Sequence, residues 1–413
     1  MNLTMKYNKC KDILEKYDQK HLLSFYDILN GEKRELLLDQ ILRINFEQIC
    51  NLYKNSYIEL KKHDTITPLP YVDKTKLSNK EFKYYNKIGI EAIKSHEFAV
   101  ITLAGGQGSR LGHTGPKGTF ELKLAHTKKS LFEILCDSLK VVNYLYNISI
   151  PWYIMTSENN NQATIDFFEE NNYFNYPNKN IHFFTQNKLP VVNENGKLML
   201  NELYRINEAS NGNGDIYSSI KRNNIIEDLK KQGIKWIFIC GIDNVLVNPV
   251  DTLFLGLTIA KNYEIASKSI FKEDPNGKEA VFANRNGKPS ILMLDEITEE
   301  MNNLKDSDDN YLYRETNALC HLYNINALEK CTTLELPYHR AYKKNTFVNE
   351  EGMKQIPESP NSFKFEKFIF DAFEHFDKML LLRVAKNKEF APIKDLEGMY
   401  EATKLYEKEK SKI

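Results

Sequence analysis

Apolar residues recur every three or four positions through the first part of the chain, then change to short solid runs. KCKDILEKYDQKHLLSFYDIL (9–29) and KRELLLDQILRINFEQICNLYKNSY (33–57) carry the first pattern, which predicts amphipathic helices. TITPLPYVDKTKL (65–77) interrupts it with two prolines and reads as a surface loop. From about residue 96 the pattern alternates. FAVITLAG, WYIMTS, IHFFTQ, WIFICGID and EIASKSIF read as strands. SLFEILCDSLKVVNYLYN, QATIDFFEENNYF and YSSIKRNNIIEDLKKQG read as helices between them. Strand and helix in alternation predict an α/β fold, a mainly parallel sheet covered on both faces. The linear division is 1–95 as a helical region, 96–400 as the main domain and 401–413 as a charged tail, whose end EKEKSKI (407–413) reads as frayed. On such sheets ligands sit at the carboxyl ends of strands, so the polar residues after each run are the candidates.

Composition narrows the function. The 413 residues are 42% hydrophobic and 27% charged, with Lys+Arg and Asp+Glu both 56. A neutral chain argues against a nucleic-acid binder, which carries a basic excess. No apolar run is long enough to predict a membrane span, and the N-terminus lacks the core of a signal peptide. Six scattered cysteines without a C-x-x-C pair suggest a reduced, cytoplasmic protein. His321 beside Cys320 lacks the spacing of zinc ligands.

The densest chemistry follows the first strand run, in AVITLAGGQGSRLGHTGPKGTFEL. A Walker A loop fails, because Lys117 is flanked by Pro116 and Gly118. The dinucleotide pattern G-x-G-x-x-G fails by one residue, since the glycines fall at Gly106, Gly108 and Gly112. Both patterns need a helix starting at the loop; here Gly115 and Pro116 prolong it. Glycines still let backbone N–H groups approach an anion. Arg110 and Lys117 add positive charge suited to a nucleoside triphosphate. A plain charged turn is the alternative, and four glycines within eight residues weigh against it. Asp243, just past WIFICGI, suits Mg²⁺, which takes a few hard oxygens and completes its shell with substrate phosphates. A cap for the next segment is the other use of such an Asp.

L-A-G-G-Q-G-S-R-L-G followed by P-K resembles the L-x-x-G-x-G-T-x-[ML]-x(4)-P-K signature of the UDP-sugar pyrophosphorylases, nearest to the eukaryotic UDP-N-acetylhexosamine type. PWYIMTS, FFTQNKLP, NGNGDIY, NIIEDLKKQGI, DNVLV, KFEKFIFDAF and EFAPIKD extend the resemblance over most of the chain after about residue 65. The resemblance implies a Rossmann-like (GT-A-like) nucleotidyltransferase fold with a mixed sheet. It also implies a reaction of UTP with a sugar 1-phosphate that yields a UDP-sugar and pyrophosphate. It implies that Leu103, Ala104, Gly105 and Gly106 meet the nucleotide and Lys117 the triphosphate. Gln186 would read the uracil edge, for which an amide offers donor and acceptor. Gly212 would meet the base, and Asn213 and Asn317 the sugar. Asp243 would hold Mg²⁺, with Lys364 and Lys394 near the phosphates; in NSFKFEKFIFD a helical spacing would put Lys364 and Phe368 on one face. Arg110, Lys117 and Lys394 are the catalytic candidates. A phosphate monoester is already a nucleophile, so no general base is expected.

The sugar side departs from the family. TNALCH (316–321) stands where the family has G-N-I-A-N-H, so Thr316 replaces a glycine. The family's E-Y pair falls on Met293 and Leu294, with Asp295 or Glu296 as substitutes if the register slips. EDPNGKEAV (273–281) lacks the P-x-x-V-G wording. The overall match makes N-acetylglucosamine 1-phosphate the expected sugar, and these departures make glucose 1-phosphate or another hexose phosphate the alternative. The family's separate C-terminal domain is not in the sequence, which suggests a monomer. A catalytically silent sugar-nucleotide binder would have lost Lys117, Asp243 or Lys394, and a dinucleotide oxidoreductase would need the strict glycine spacing.

Overall fold

The computed structural model describes residues 1–55, 64–274, 277 and 279–410. The chain divides into two compact units. The larger takes Lys61–Gln186, Ile216–Glu335 and Phe370–Ile413, and the smaller takes Met1–Leu60, Asn187–Asp215 and Leu336–Ile369. These units join segments distant in sequence, where the linear expectation cut the chain at 95/96.

The larger unit is built on a mixed sheet. Along its main path lie β1 (Val72–Asp73), β2 (Phe98–Leu103), β3 (Trp152–Ser157), β4 (Ile181–Gln186), β5 (Trp236–Gly241), β6 (Ile265–Phe271), β7 (Glu315–Asn324) and β8 (Leu380–Val384). Their spatial order is β1-β8-β6-β7-β5-β2-β3-β4. β7 alone on this path runs against its neighbours, pairing Cys320 with Cys240 of β5 and Glu315 with Phe271 of β6. The carboxyl ends of β2 to β6 and β8 therefore share one edge with the start of β7. All six residues of β2 and of β3 are buried, as the solid apolar runs require when helices cover both faces. A hairpin, Val281–Arg285 with Lys288–Leu292, branches from β7 where Val281 pairs with Thr316.

Local signals set the helix ends. Ser78 and Glu81 form a capping box on the helix Asn79–Lys94. Ser130 caps Leu131–Tyr146, which stops at Asn147 in the left-handed conformation with φ 52°. The smaller unit buries Cys10, Leu14, Leu37, Leu38 and Ile41 from the first two helices, Leu3–Lys16 and Gly31–Arg43, against Val192, Leu198, Ile206 and Phe365.

Four expectations change. The proline segment 65–77 carries strand Ile66–Pro68 and β1, which pairs parallel with β8. YSSIKRNNIIEDLKKQG is two helices, Ile216–Arg222 and Ile225–Lys231, broken where Asn224 takes φ 53°. Residues 407–410, read as frayed, continue the helix Leu396–Lys410, whose Ala402 and Tyr406 are buried one turn apart. Residues 411–413 lie outside the described residues. β7, β8 and the hairpin were not read as strands at all: the apolar residues of β7 and the hairpin are interleaved with polar ones, and β8 is a short apolar run, Leu380–Val384, broken only by Arg383.

Helices Asn79–Lys94 and Thr252–Ala260 touch backbone to backbone. A Cβ on Gly89 would lie 1.9 Å from the Thr252 carbonyl oxygen, and one on Gly256 would lie 1.8 Å from that of Tyr85. We expect Gly89→Ala and Gly256→Ala each to lower stability by about 2 kcal/mol or more, measured by urea unfolding. The double variant should fall short of the sum, because both act on one interface.

His321 of β7 is wholly buried. Its Nδ1 lies 3.0 Å from Ser267 Oγ, its ring meets Phe373 edge-on at 5.2 Å, and burial pushes its pKa down to about 3. Unfolded, it titrates near the usual ~6.5, so below that pH the unfolded chain binds the extra proton and folding weakens. Between pH 7 and 5 this amounts to about 2 kcal/mol of stability. His321→Leu should remove that part of the pH slope in urea midpoints, whatever it does to stability at pH 7.

Candidate active site

The loop after β2 has to satisfy its own backbone, because no helix follows it. Ala104 N–H still reaches Met155 O at 2.8 Å, prolonging the β2–β3 pairing. Beyond it the loop folds back on itself: Gly108 N–H donates to Gly115 O at 3.1 Å and Lys117 N–H to Gly106 O at 3.0 Å. Two short 3₁₀ turns, Ser109–Leu111 and Lys117–Thr119, take up the remainder, with Gly112 at φ +68° between them. The return brings Lys117 to the sheet edge while Arg110 stays exposed.

Asn160, which sequence reading missed, clamps this loop. Buried at 1% exposure, its Nδ2 donates to Ala104 O at 3.2 Å and Gly106 O at 3.3 Å. Its Oδ1 accepts from Ser157 N–H at 2.8 Å and Ser157 Oγ at 2.9 Å. Four asparagine-like positions in SENNNQ offered no way to single it out, since only the fold shows which one turns inward.

Three candidates converge on the loop. Lys117 Nζ lies 3.3 Å from Asp243 Oδ2. Asp243 sits two residues past β5, where Ile242 N–H bonds Leu103 O at 3.2 Å. Gln186 ends β4, buried, and a Cβ on Gly105 would fall 2.0 Å from its Nε2. Gly105 thus lies close against the Gln186 amide, and a side chain there would shift that amide. Lys394 is exposed and follows Ile393, whose N–H donates to Asp243 O at 2.9 Å.

On the sugar side, Asn317 lies near the start of β7. Its Oδ1 accepts from Leu319 N–H at 2.7 Å, which leaves the amide NH₂ as its donor toward a ligand. Leu319 takes φ 51°, and the β6–β7 register shifts between Ser267 and Ser269. Thr316 is buried and its Oγ1 donates to Ile270 O at 2.9 Å, so its hydroxyl belongs to the sheet. Met293 precedes the turn Leu294–Glu296, with Leu294 exposed. Glu296 binds Arg285 and the Met293 N–H, and so is not a spare partner in that register; Asp295 is exposed. Pro275, Asn276 and Lys278 of the 273–281 segment lie outside the described residues.

The remaining candidates belong to the smaller unit. Gly212 has φ +90°, and a Cβ there would meet Lys367 O at 2.2 Å. Asn213 Oδ1 accepts from Ile369 N–H at 3.0 Å. Lys364 is not helical: it lies on strand Ser362–Glu366, paired with Ala341. The apolar spacing there fits period two as well as four, and Phe365 is the buried ring, where the helical reading turned Phe370 inward. Asp215 was also missed. It is buried and its carboxylate accepts from Asn187 N–H at 2.7 Å and Asn211 Nδ2 at 2.9 Å.

A cation and a carboxylate presented together where a glycine loop crosses the carboxyl edge suit phosphoryl chemistry, and the sheet that carries them is that of a nucleotidyltransferase. Comparison with known proteins narrows the class. The chain belongs to the UTP–glucose-1-phosphate uridylyltransferase (UDPGP) family, whose sequence profile matches residues 42–413. It is 35% identical over 402 residues to the UDP-N-acetylglucosamine pyrophosphorylase of Saccharomyces cerevisiae, covering 93% of this chain and 82% of that protein. Among solved structures, the uridine diphosphate N-acetylglucosamine pyrophosphorylase of Trypanosoma brucei superposes with a TM-score of 0.80 at 25% identity, over 97% of this chain and 84% of that one. A UDP-glucose phosphorylase from the same organism shares the fold at 18% identity and a TM-score of 0.65, over 92% and 78%. The protein is a UDP-sugar pyrophosphorylase, an enzyme that transfers a uridylyl group.

Removing the loop clamp tests how the site is held. Asn160→Ala deletes four hydrogen bonds, three of them buried, and takes the side-chain donor from Ala104 O, while Gly106 O keeps the Lys117 N–H. We expect a loss of about 2–4 kcal/mol in urea unfolding, with faster amide exchange at residues 104–117 than elsewhere in the sheet.

Proposed function

We propose that the enzyme makes UDP-N-acetylglucosamine and pyrophosphate from UTP and N-acetylglucosamine 1-phosphate. The observation that carries the reading is the Lys117–Asp243 pair, 3.3 Å apart beside the glycine loop. The relatives named for N-acetylglucosamine support the choice of sugar. Glucose 1-phosphate is the second reading, favoured by Met293 and Leu294, which offer no polar side chain where the family has its E-Y pair, and by Thr316, which stands where the family has a glycine.

In this reading the sugar phosphate oxygen attacks the α-phosphorus of UTP in line. The new P–O bond forms as the bond from the α-phosphorus to the bridging oxygen of the β-phosphate breaks, and pyrophosphate leaves. Positioning and charge neutralisation do the catalysis. Lys117 and Arg110 neutralise the departing pyrophosphate. Lys394, anchored beside Asp243, faces the α-phosphate. Gln186 reads the uracil edge against the Leu103–Gly106 backbone, and Asn317 gives its NH₂ to the sugar. The roles of Gly212, Asn213 and Lys364 follow the family resemblance alone.

Asp243 fits Mg²⁺. Its carboxylate is about a third exposed, and no group of three His, Cys, Asp or Glu gathers anywhere among the described residues. A single carboxylate with substrate phosphates is how this hard ion is usually held, unlike a closed protein cage. Bound by Asp243 and the phosphates, the ion would withdraw charge from the triphosphate. All six cysteines are free thiols, and no helix of the described residues is long and apolar enough to cross a membrane. We place the reaction in the cytoplasm.

Pyrophosphate release from UTP and Mg²⁺ with a panel of sugar 1-phosphates tests this. N-acetylglucosamine 1-phosphate should give the highest kcat/KM. Lys117→Ala should lower kcat by about a hundredfold or more, the loss of one aligned charge at the reacting phosphates. Preference for glucose 1-phosphate would select the second reading.

A further inference from the structure

Lys268 is a lysine in the middle of a central strand, 1% exposed. Its Nζ meets Asp251 Oδ2 at 2.8 Å and Glu389 Oε2 at 2.5 Å. Lys74 Nζ closes the ring on the same two carboxylates, at 2.9 Å from Asp251 Oδ2 and 2.5 Å from Glu389 Oε1. Two positive and two negative charges thus balance. Each Glu389 oxygen is taken by a different lysine, and Asp251 Oδ1 also accepts the Leu253 and Phe254 N–H groups that open the next helix.

Stability does not explain such a ring. Desolvating four charges costs about what their attraction returns, and apolar residues of like volume usually do as well. What the ring does is hold Glu389, and the chain around Glu389 is where the site is fastened. Glu389 O accepts from Asn244 Nδ2 at 2.8 Å. Asn244 Oδ1 accepts from Ala391 N–H at 2.8 Å, and Val245 N–H donates to Ala391 O at 3.2 Å. Ile393 N–H then reaches Asp243 O at 2.9 Å. Asp243 and Asn244 are adjacent in sequence, and Lys394 follows Ile393. Fixed bonds therefore run from a buried lysine to the backbones of the carboxylate and the lysine at the reacting phosphates.

We propose that Lys268, Glu389 and Asn244 are positioning residues, which set Asp243 and Lys394 in register for the transfer step. This rests on the roles proposed above for those two. The ring reaches Asp243 and Lys394 only through the bonded 389–393 backbone, so it should act on the transition state and not on nucleotide recognition, which this reading gives to Gln186 and the glycine loop.

The test pairs two variants. Lys268→Met/Glu389→Gln removes one charge of each sign and leaves the neutral Lys74–Asp251 pair; Asn244→Ala cuts the clasp and leaves the ring intact. Both should lower kcat by about tenfold or more while the KM for UTP stays within about threefold. Affinity for Mn²⁺ in the presence of UTP, read by electron paramagnetic resonance, should fall in parallel. Wild-type kcat in the folded double variant overturns the proposal. So does a double variant that cannot fold, or one whose KM for UTP and kcat worsen together, since either marks a general structural role. The wild type in the same assay judges the functional reading separately: if it turns over no sugar phosphate, that reading fails, and Mn²⁺–UTP affinity still decides between wild type and variants.

Discussion

At the carboxyl edge of the sheet strand pairing stops, and each strand leaves amides and carbonyls that still need partners. The site is made of the ways this chain meets that need. The loop after β2 pairs with itself between Gly106–Gly108 and Gly115–Lys117, and hands two of its carbonyls to Asn160. The chain after β5 pairs with residues 389–393 through Asn244. Lys117 and Asp243 are the side chains that these two solutions bring together. Neither is carried by a helix, so their positions depend on loop backbone being fully bonded, which is costly to leave undone in a half-buried edge.

The same edge shows how charge is handled where water is scarce. Glu315, buried at the start of β7, gives one carboxylate oxygen to Arg383 and the other to Ser269. Arg383 in turn stacks over Tyr71 with its guanidinium 3.9 Å from the ring centre. Arg314 donates to the carbonyls of Lys272, Glu273 and Asn302. Each group is paired, so none draws ions or water into the sheet. The charges near the loop, Lys117, Asp243, Arg110 and Lys394, are left partly or fully exposed. Buried charge here holds geometry, and exposed charge is what a triphosphate would meet.

The positions proposed for nucleotide and for sugar differ in how free their polar groups are. The glycine loop, Gln186, Lys117 and Asp243 lie together at the carboxyl edge. On the sugar side Thr316 has turned its hydroxyl into the sheet, Asn317 has spent its carbonyl on Leu319, and Glu296 is tied to Arg285. A polar pocket that loses partners rejects its old ligand strongly, whereas an apolar one discriminates weakly.

By itself the sequence determined the buried strand runs, the helices with clear caps, and the polar residues that follow each run. Those are local facts: solid apolar runs mean strands covered on both faces, Asp243 stands out because such a run ends just before it, Lys117 stands out in the glycine loop, and Gln186 through the family resemblance. The glycine spacing also carried its message without a fold, by failing the two patterns that need a helix. The tertiary structure alone decided the rest. Nothing local says that Glu315–Asn324 runs antiparallel between two parallel strands, because register and direction come from partners far along the chain. Nor does it show that Asn160, of several neighbouring asparagines, turns inward, or that Lys268 meets Asp251 and Glu389. A lysine in an otherwise apolar strand looks like any solvated lysine until its partners, up to 121 positions away, arrive to neutralise it.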